Sequence, residues 1–239
     1  MKFHVALMIL MISVNAFAQP AEVLSMRERA VVIDNLLEDK LKTRLPGLMR
    51  REGFDMWVVI SREYNEDPII RTLLPATWLA ARRRTILVMY DPGPGEQSET
   101  LAVARYDVGT AFKRAWDPEK QPDQWKRLAE VISERQPEKI GVNLSDHWGL
   151  ADGIAATDLR QFKESLPEVY HGRIVSAEKL GVAWLETRTP QEMALYPGIC
   201  RLAHEIIAAG FSYAVIQTGT TSTDDVAWWF RERVRDLKL

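Results

Sequence analysis

The sequence is poor in the residues from which staples and metal cages are built. It contains one cysteine, Cys200, and four histidines in 239 residues. A lone cysteine excludes an intramolecular disulfide in any redox compartment, and the expected role of Cys200 is that of a small buried apolar side chain. An excess of positive charge is missing too. The formal net charge is −2, so the chain lacks the basic field that nucleic acid demands. No repeat of fixed period and no low-complexity tract occurs.

A long hydrophobic run is also absent. The apolar stretch Val5 to Ile12 falls well short of the roughly 20 residues that cross a bilayer. It follows Lys2 and precedes Ala16-Phe17-Ala18, whose small residues stand where a signal peptidase reads. The expectation is a secretory signal peptide over residues 1–18, cleaved before Gln19, and hence an exported, periplasmic or extracellular protein with no membrane association after cleavage. No cysteine follows the cleavage position, which argues against a lipoprotein anchor.

What is present is an ordinary globular composition, 46% apolar and 27% charged, long enough for one large or two modest domains. Met26, Ala30, Ile33, Leu37 and Leu41 step by three or four, predicting an amphipathic helix that breaks near Pro46-Gly47, resumes to Arg51 and stops at Gly53. Met56 to Ile60 is a continuous apolar run, read as a buried strand. Thr85 to Tyr90 and Thr100 to Tyr106 flank the turn signal Asp91-Pro92-Gly93-Pro94-Gly95 and predict a hairpin. Pro122, read as a first helical residue, opens the apolar stripe Trp125, Leu128, Ala129 and Ile132. A strand over 139–143, a helix over 157–166 and an extended piece near 173–175 follow. Strands alternating with helices predict an α/β domain with a mixed sheet flanked by helices.

A second unit is expected from residue 187. Thr189-Pro190-Gln191-Glu192 combines a capping threonine, proline at the first helical position and glutamate three residues after the cap. Pro197-Gly198 interrupts the pattern, which resumes through Ile199, Ala203, Ile206, Ile207 and Ala214 and closes at Gly219. A last helix starts after the oxygens of Thr220 to Thr223, with Asp224 and Asp225 in its first turn. Its stripe of Val226, Trp229, Phe230 and Val234 calls for a packing partner.

Several constellations suggest chemistry and fail on geometry. His204-Glu205 opens like the H-E-x-x-H zinc motif, but Ala208 stands where the second histidine belongs. Ser145-Asp146-His147 holds three triad residue types as adjacent neighbours, which point in different directions. An unrelated hydrolase built on Asp146, His147 and His171 is the least favoured reading. Arg82-Arg83-Arg84, just before a strand, is expected to be a solvated edge or an ion-pair partner, ahead of a phosphate-binding role. No nucleophile elbow, phosphate loop or dinucleotide fingerprint appears.

Four segments carry a resemblance. Arg62-Glu63-Tyr64-Asn65-Glu66-Asp67-Pro68, Ala81-Arg82-Arg83, the stretch Trp184 to Met193, and the stretch Thr220 to Trp229 together resemble the creatinase, prolidase and Xaa-Pro aminopeptidase family of pita-bread metallopeptidases. The resemblance implies a creatinase-like N-terminal domain over 19–186, followed over 187–239 by the first helices of an incomplete pita-bread α+β domain. It implies two divalent metal ions in a full-length member, held by two aspartates, one histidine and two glutamates, with a metal-bound hydroxide attacking the scissile carbonyl of a short peptide. Asp225 and Asp236 have the family's eleven-residue ligand spacing. On a helix that spacing rises about 16 Å, far beyond the ~4 Å between paired metals. No catalytic or metal position is therefore carried over, and substrate contacts stay unassigned. The Arg62 to Asp67 cluster is expected to form ion pairs and a turn. The chain is expected to be inactive by itself, binding no cofactor, with a homodimer possible. The alternative is a non-catalytic binding or dimerisation module derived from the same family.

Overall fold

The computed structural model describes residues 23–239. The expected signal peptide lies outside them. Among the described residues no helix is long and apolar enough to cross a membrane. The chain forms two compact units, one spanning Leu24–Leu195 and a smaller one that includes Tyr196–Leu239.

In the larger unit, α1 (Met26–Thr43) starts on a capping box in which Ser25 Oγ accepts from the Glu28 N–H and the Glu28 carboxylate accepts from the Ser25 N–H. The break before α2 (Leu45–Glu52) falls at Arg44, ahead of Pro46. Gly53 closes α2 at φ 72°, a left-handed conformation that glycine adopts without Cβ strain. Then come β1 (Met56–Arg62), β2 (Arg84–Tyr90), β3 (Glu99–Ala102), β4 (Lys113–Arg114), α3 (Gln124–Arg135), β5 (Ile140–Val142), α4 (Ala156–Ser165), β6 (Ile174–Ser176) and α5 (Glu178–Glu186). The smaller unit holds the later part of α6 (Pro190–Gly210) and all of α7 (Thr223–Asp236).

The sheet has the order β4-β3-β2-β1-β5-β6. β1 pairs antiparallel with β2 and parallel with β5, so the sheet is mixed, as expected. β2 and β3 form the predicted hairpin, Tyr90 opposite Glu99, but β3 ends at Ala102. Six of the seven β1 residues are buried because both sheet faces are covered. Trp57, Val59, Leu87 and Met89 pack with Leu41, Met49, Leu180 and Trp184 of α1, α2 and α5. Met56, Val58, Ile86 and Val88 pack on the other face with Leu128, Ile132 and Phe162 of α3 and α4. The alternation follows from the two-residue period of a strand.

Several expectations are corrected. Pro122 lies outside α3, whose N-cap is Asp123, its carboxylate accepting from the Trp125 and Lys126 N–H groups. α6 runs unbroken through Pro197 and ends at Gly210. Cys200 is exposed, because it sits on a helix whose one buried residue is Gly210. α7 takes its cap from Ser222, in a box with Asp225. None of its residues is buried, although Phe230 lies 5.7 Å from the Phe211 ring and closes over Gly210, where a Cβ would collide with it.

Candidate functional site

The end of β1 turns sharply. Tyr64 takes a left-handed φ of 67° and is exposed, while the Asn65 N–H donates to the Arg62 carbonyl at 3.0 Å. Three residues after Tyr64 the chain buries a carboxylate: Asp67 is 0% exposed. Its Oδ1 accepts from the Ile69 N–H at 2.7 Å and its Oδ2 from Asn143 Nδ2 at 2.7 Å. Its own N–H donates to Ser61 Oγ at 3.0 Å. The Trp57 indole N–H donates to Asn143 Oδ1 at 2.8 Å. An indole N–H can only donate, so it fixes the Asn143 amide with its NH2 towards Asp67. Burial raises the Asp67 carboxyl above its ordinary range, against the pull of the Asn143, Ile69 and Ile70 bonds. The carboxylate backs onto Gly153, where any Cβ would strike it. This network ties the loop after β1 to the loop after β5. In the sequence Trp57 reads only as part of an apolar run; the missed signal is that a tryptophan buried in such a run needs an acceptor.

The arginines of this end divide. Arg62 and Arg84 are direct cross-strand partners and both lie over Asp158 of α4, Nε to carboxylate oxygen 2.9 and 3.6 Å. The expected ion-pair role holds for these two. Arg82 instead places its guanidinium 4.1 Å over the Trp78 ring, and Arg83 holds a left-handed φ of 52°. Within the Arg62–Asp67 cluster, Glu63 accepts from the Arg83 N–H at 3.2 Å.

The other singled-out residues do not converge. Ser145 Oγ donates to Glu178 at 2.5 Å and accepts from the N–H groups of His147 and Trp148 at 3.1 and 2.7 Å, so the hydroxyl shapes a turn. Asp146 and His147 are exposed on that loop. His171 sits before β6 with Nε2 3.1 Å from the Leu166 carbonyl oxygen, and His204 is exposed on α6. Asp225 is occupied as the N3 residue of its capping box, where hydrogen bonds from Ser222 hold its carboxyl below the usual range. Asp225 and Asp236 are both in the α7 helix, so the two do not fit a shared metal centre. Among the described residues no three His, Cys, Asp or Glu side chains are grouped closely enough to hold a metal ion.

At the junction of the expected domains, Thr189 is fully buried and caps α6: its N–H donates to Glu192 at 2.6 Å and its Oγ1 accepts from the Glu192 N–H at 3.1 Å. Glu192 also lies 3.7 Å from Lys40 Nζ. Burial lowers the Lys40 pKa against the attraction of that carboxylate.

No protein-family model matches the chain, and no curated protein matches it. Among solved structures it is similar to an Xaa-Pro dipeptidase from Bacillus anthracis, with a TM-score of 0.47 and 10% identity over 85% of this chain and 49% of that one. The chain thus spans about half the length of that protein. A likeness of this size concerns the course of the backbone and carries no argument about activity.

Proposed function

We propose that this chain is the N-terminal portion of an exported Xaa-Pro aminopeptidase-like metallopeptidase that hydrolyses short peptides, with the metal ligands supplied by another part of the full-length protein. In this reading residues 19–186 form the creatinase-like domain and residues 187–239 begin the pita-bread domain. Two divalent ions would be held in the remainder of that domain, and they would supply an activated water and a clamp on the developing oxyanion. The contribution of residues 19–239 is scaffolding: the sheet and its Asp67–Asn143–Trp57 network set the loops.

The observation that carries the reading is the junction. The segment Trp184 to Met193 is among those that resemble the family, and its two ends are structural anchors. Trp184 is buried with its indole N–H donating to Thr72 Oγ1 at 2.8 Å, and Thr189 and Glu192 close the buried capping box. The test is the coding sequence through Leu239. An open frame supplying two aspartates, a histidine and two glutamates supports the proposal, and a stop codon contradicts it.

A non-catalytic binding or dimerisation module is favoured by one observation. Apolar side chains of the smaller unit stand in solvent, with Tyr213 93%, Phe211 66% and Trp228 53% exposed. Exposed apolar side chains that gather into a patch mark interaction surfaces. Sedimentation equilibrium of residues 19–239 distinguishes the readings when combined with the stop codon: a dimer supports the module, and a monomer opposes it.

A further inference from the structure

Where β1 ends and β2 begins, a cleft of about 750 Å³ opens, lined by Arg62, Arg82, Arg83, Arg84 and Arg105 with Trp116 on its wall. Some arginines elsewhere in the chain are matched to acids: Arg50 to Asp91 at 2.6 Å, Arg127 to Glu134 at 2.8 Å, Arg135 to Glu99 at 2.7 Å and Arg160 to Glu164 at 2.9 Å. In the cleft five arginines gather around one lining acid. Arg82, Arg83 and Arg105 have no ion-pair partner among the described residues. Glu63, the one acid on the lining, is already engaged by the Arg83 backbone N–H at 3.2 Å.

Three guanidinium groups of the cleft, those of Arg82, Arg84 and Arg105, are positioned by aromatic rings. Arg82 lies 4.1 Å from the Trp78 ring centroid, Arg84 4.5 Å from that of Trp125 and Arg105 5.6 Å from that of Trp116. Stacking orders an arginine through its face and leaves the N–H donors at its edge available for a planar acceptor. Beneath, Asp158 is 1% exposed and serves both Arg62 and Arg84. One carboxylate leaves two guanidinium groups with a net positive charge. The fit is also incomplete: the Nε atoms of Arg62 and Arg84 and Oδ1 of Asp158 are buried without an aligned hydrogen bond. Arg83 adds strain, a non-glycine residue at φ 52° held by the Glu63 N–H donating to its carbonyl at 2.7 Å. Such backbone is tolerated where the surroundings fix it and clusters at binding sites.

We propose that this cleft binds a small dianionic ligand, either a phosphate ester or a dicarboxylate, through the unpaired guanidinium groups of Arg82, Arg83 and Arg105. Arginine forks match both acceptors in bidentate fashion. The cleft's volume of about 750 Å³ suits a small ligand. The inference does not depend on the peptidase proposal.

The test is isothermal titration of the purified chain at low ionic strength with inorganic phosphate and, separately, with succinate. We expect saturable binding of at least one probe, weakening as salt is added. Arg105→Gln and Arg83→Gln should each raise the Kd about tenfold, whereas Arg160→Gln, outside the cleft, should leave it unchanged. Binding of phosphate alone assigns a phosphate ester, of succinate alone a dicarboxylate, and of both the shared charge. Arg105 is exposed, so its variant still decides the matter if the strained position 83 does not accept glutamine. Absence of saturable binding by either probe, or equal binding by the wild type and Arg105→Gln, overturns the proposal.

Discussion

Asp67 shows how much one side chain can organise. Its carboxylate receives the Asn143 amide, which is itself oriented by the Trp57 indole, so Asn143 joins two residues more than seventy positions away in one polar path through the core. In Asp67→Asn an NH2 would meet either the Asn143 NH2 or the Ile69 N–H, leaving buried donors opposed. We expect a loss of about 1–3 kcal/mol in urea unfolding. The pH dependence has a definite sign. The native Asp67 pKa is raised, chiefly by burial, so its stabilising contribution is complete below the ordinary aspartate pKa and is lost as pH rises through the native value. The stability gap between wild type and Asp67→Asn should therefore be largest below the ordinary aspartate pKa of about 4 and shrink as pH rises above it. A gap that widens with pH would contradict a buried carboxyl of raised pKa. A different balance holds at Asp91, where burial raises the pKa but the Arg50, Gly93 and Ser98 hydrogen bonds prevail and hold it low.

At the scale of elements, α6 carries its own test. Pro197 lies inside the helix, lacks the N–H that position would donate and crowds the carbonyl of Met193 one turn earlier. Pro197→Ala should raise helicity in far-UV circular dichroism and the unfolding midpoint, with a gain of up to about 3 kcal/mol. No change in either would mean that α6 is not continuous there. The same helix separates the signals that a sequence makes legible from those it hides. The Thr189–Glu192 box is readable because capping is local, decided by residues three apart. So are β1, its apolar run being covered on both faces, and the β2–β3 hairpin with its glycine and proline turn. The continuity of α6 is not readable, because Pro197 and Gly198 are local breakers and the rest of the helix overrides them. Nor is α5, whose buried Leu180, Ala183 and Trp184 are sorted by tertiary packing. Among the candidate sites, the Asp158 floor and the arginine cleft stay hidden for a similar reason: Arg82 to Arg84 read as a solvated run until Arg62 and Arg105 arrive from other strands and loops.

Across the whole molecule, burial is unequal. The larger unit has a covered face on each side of its sheet, whereas the helices of the smaller unit bury Gly210 of α6 and nothing of α7. Amide protection tracks such differences. Hydrogen exchange should therefore be fast throughout Tyr196–Leu239 and slow in β1 and β2; comparable protection in both units would contradict this. In the proposed function residues 19–239 are scaffold, and the catalytic centre is supplied elsewhere in the full-length protein. This role is tested most directly by assaying that purified polypeptide for hydrolysis of an Xaa-Pro dipeptide with manganese, cobalt or zinc added. No metal-dependent turnover is expected, and robust hydrolysis abolished by a chelator would contradict the scaffold role.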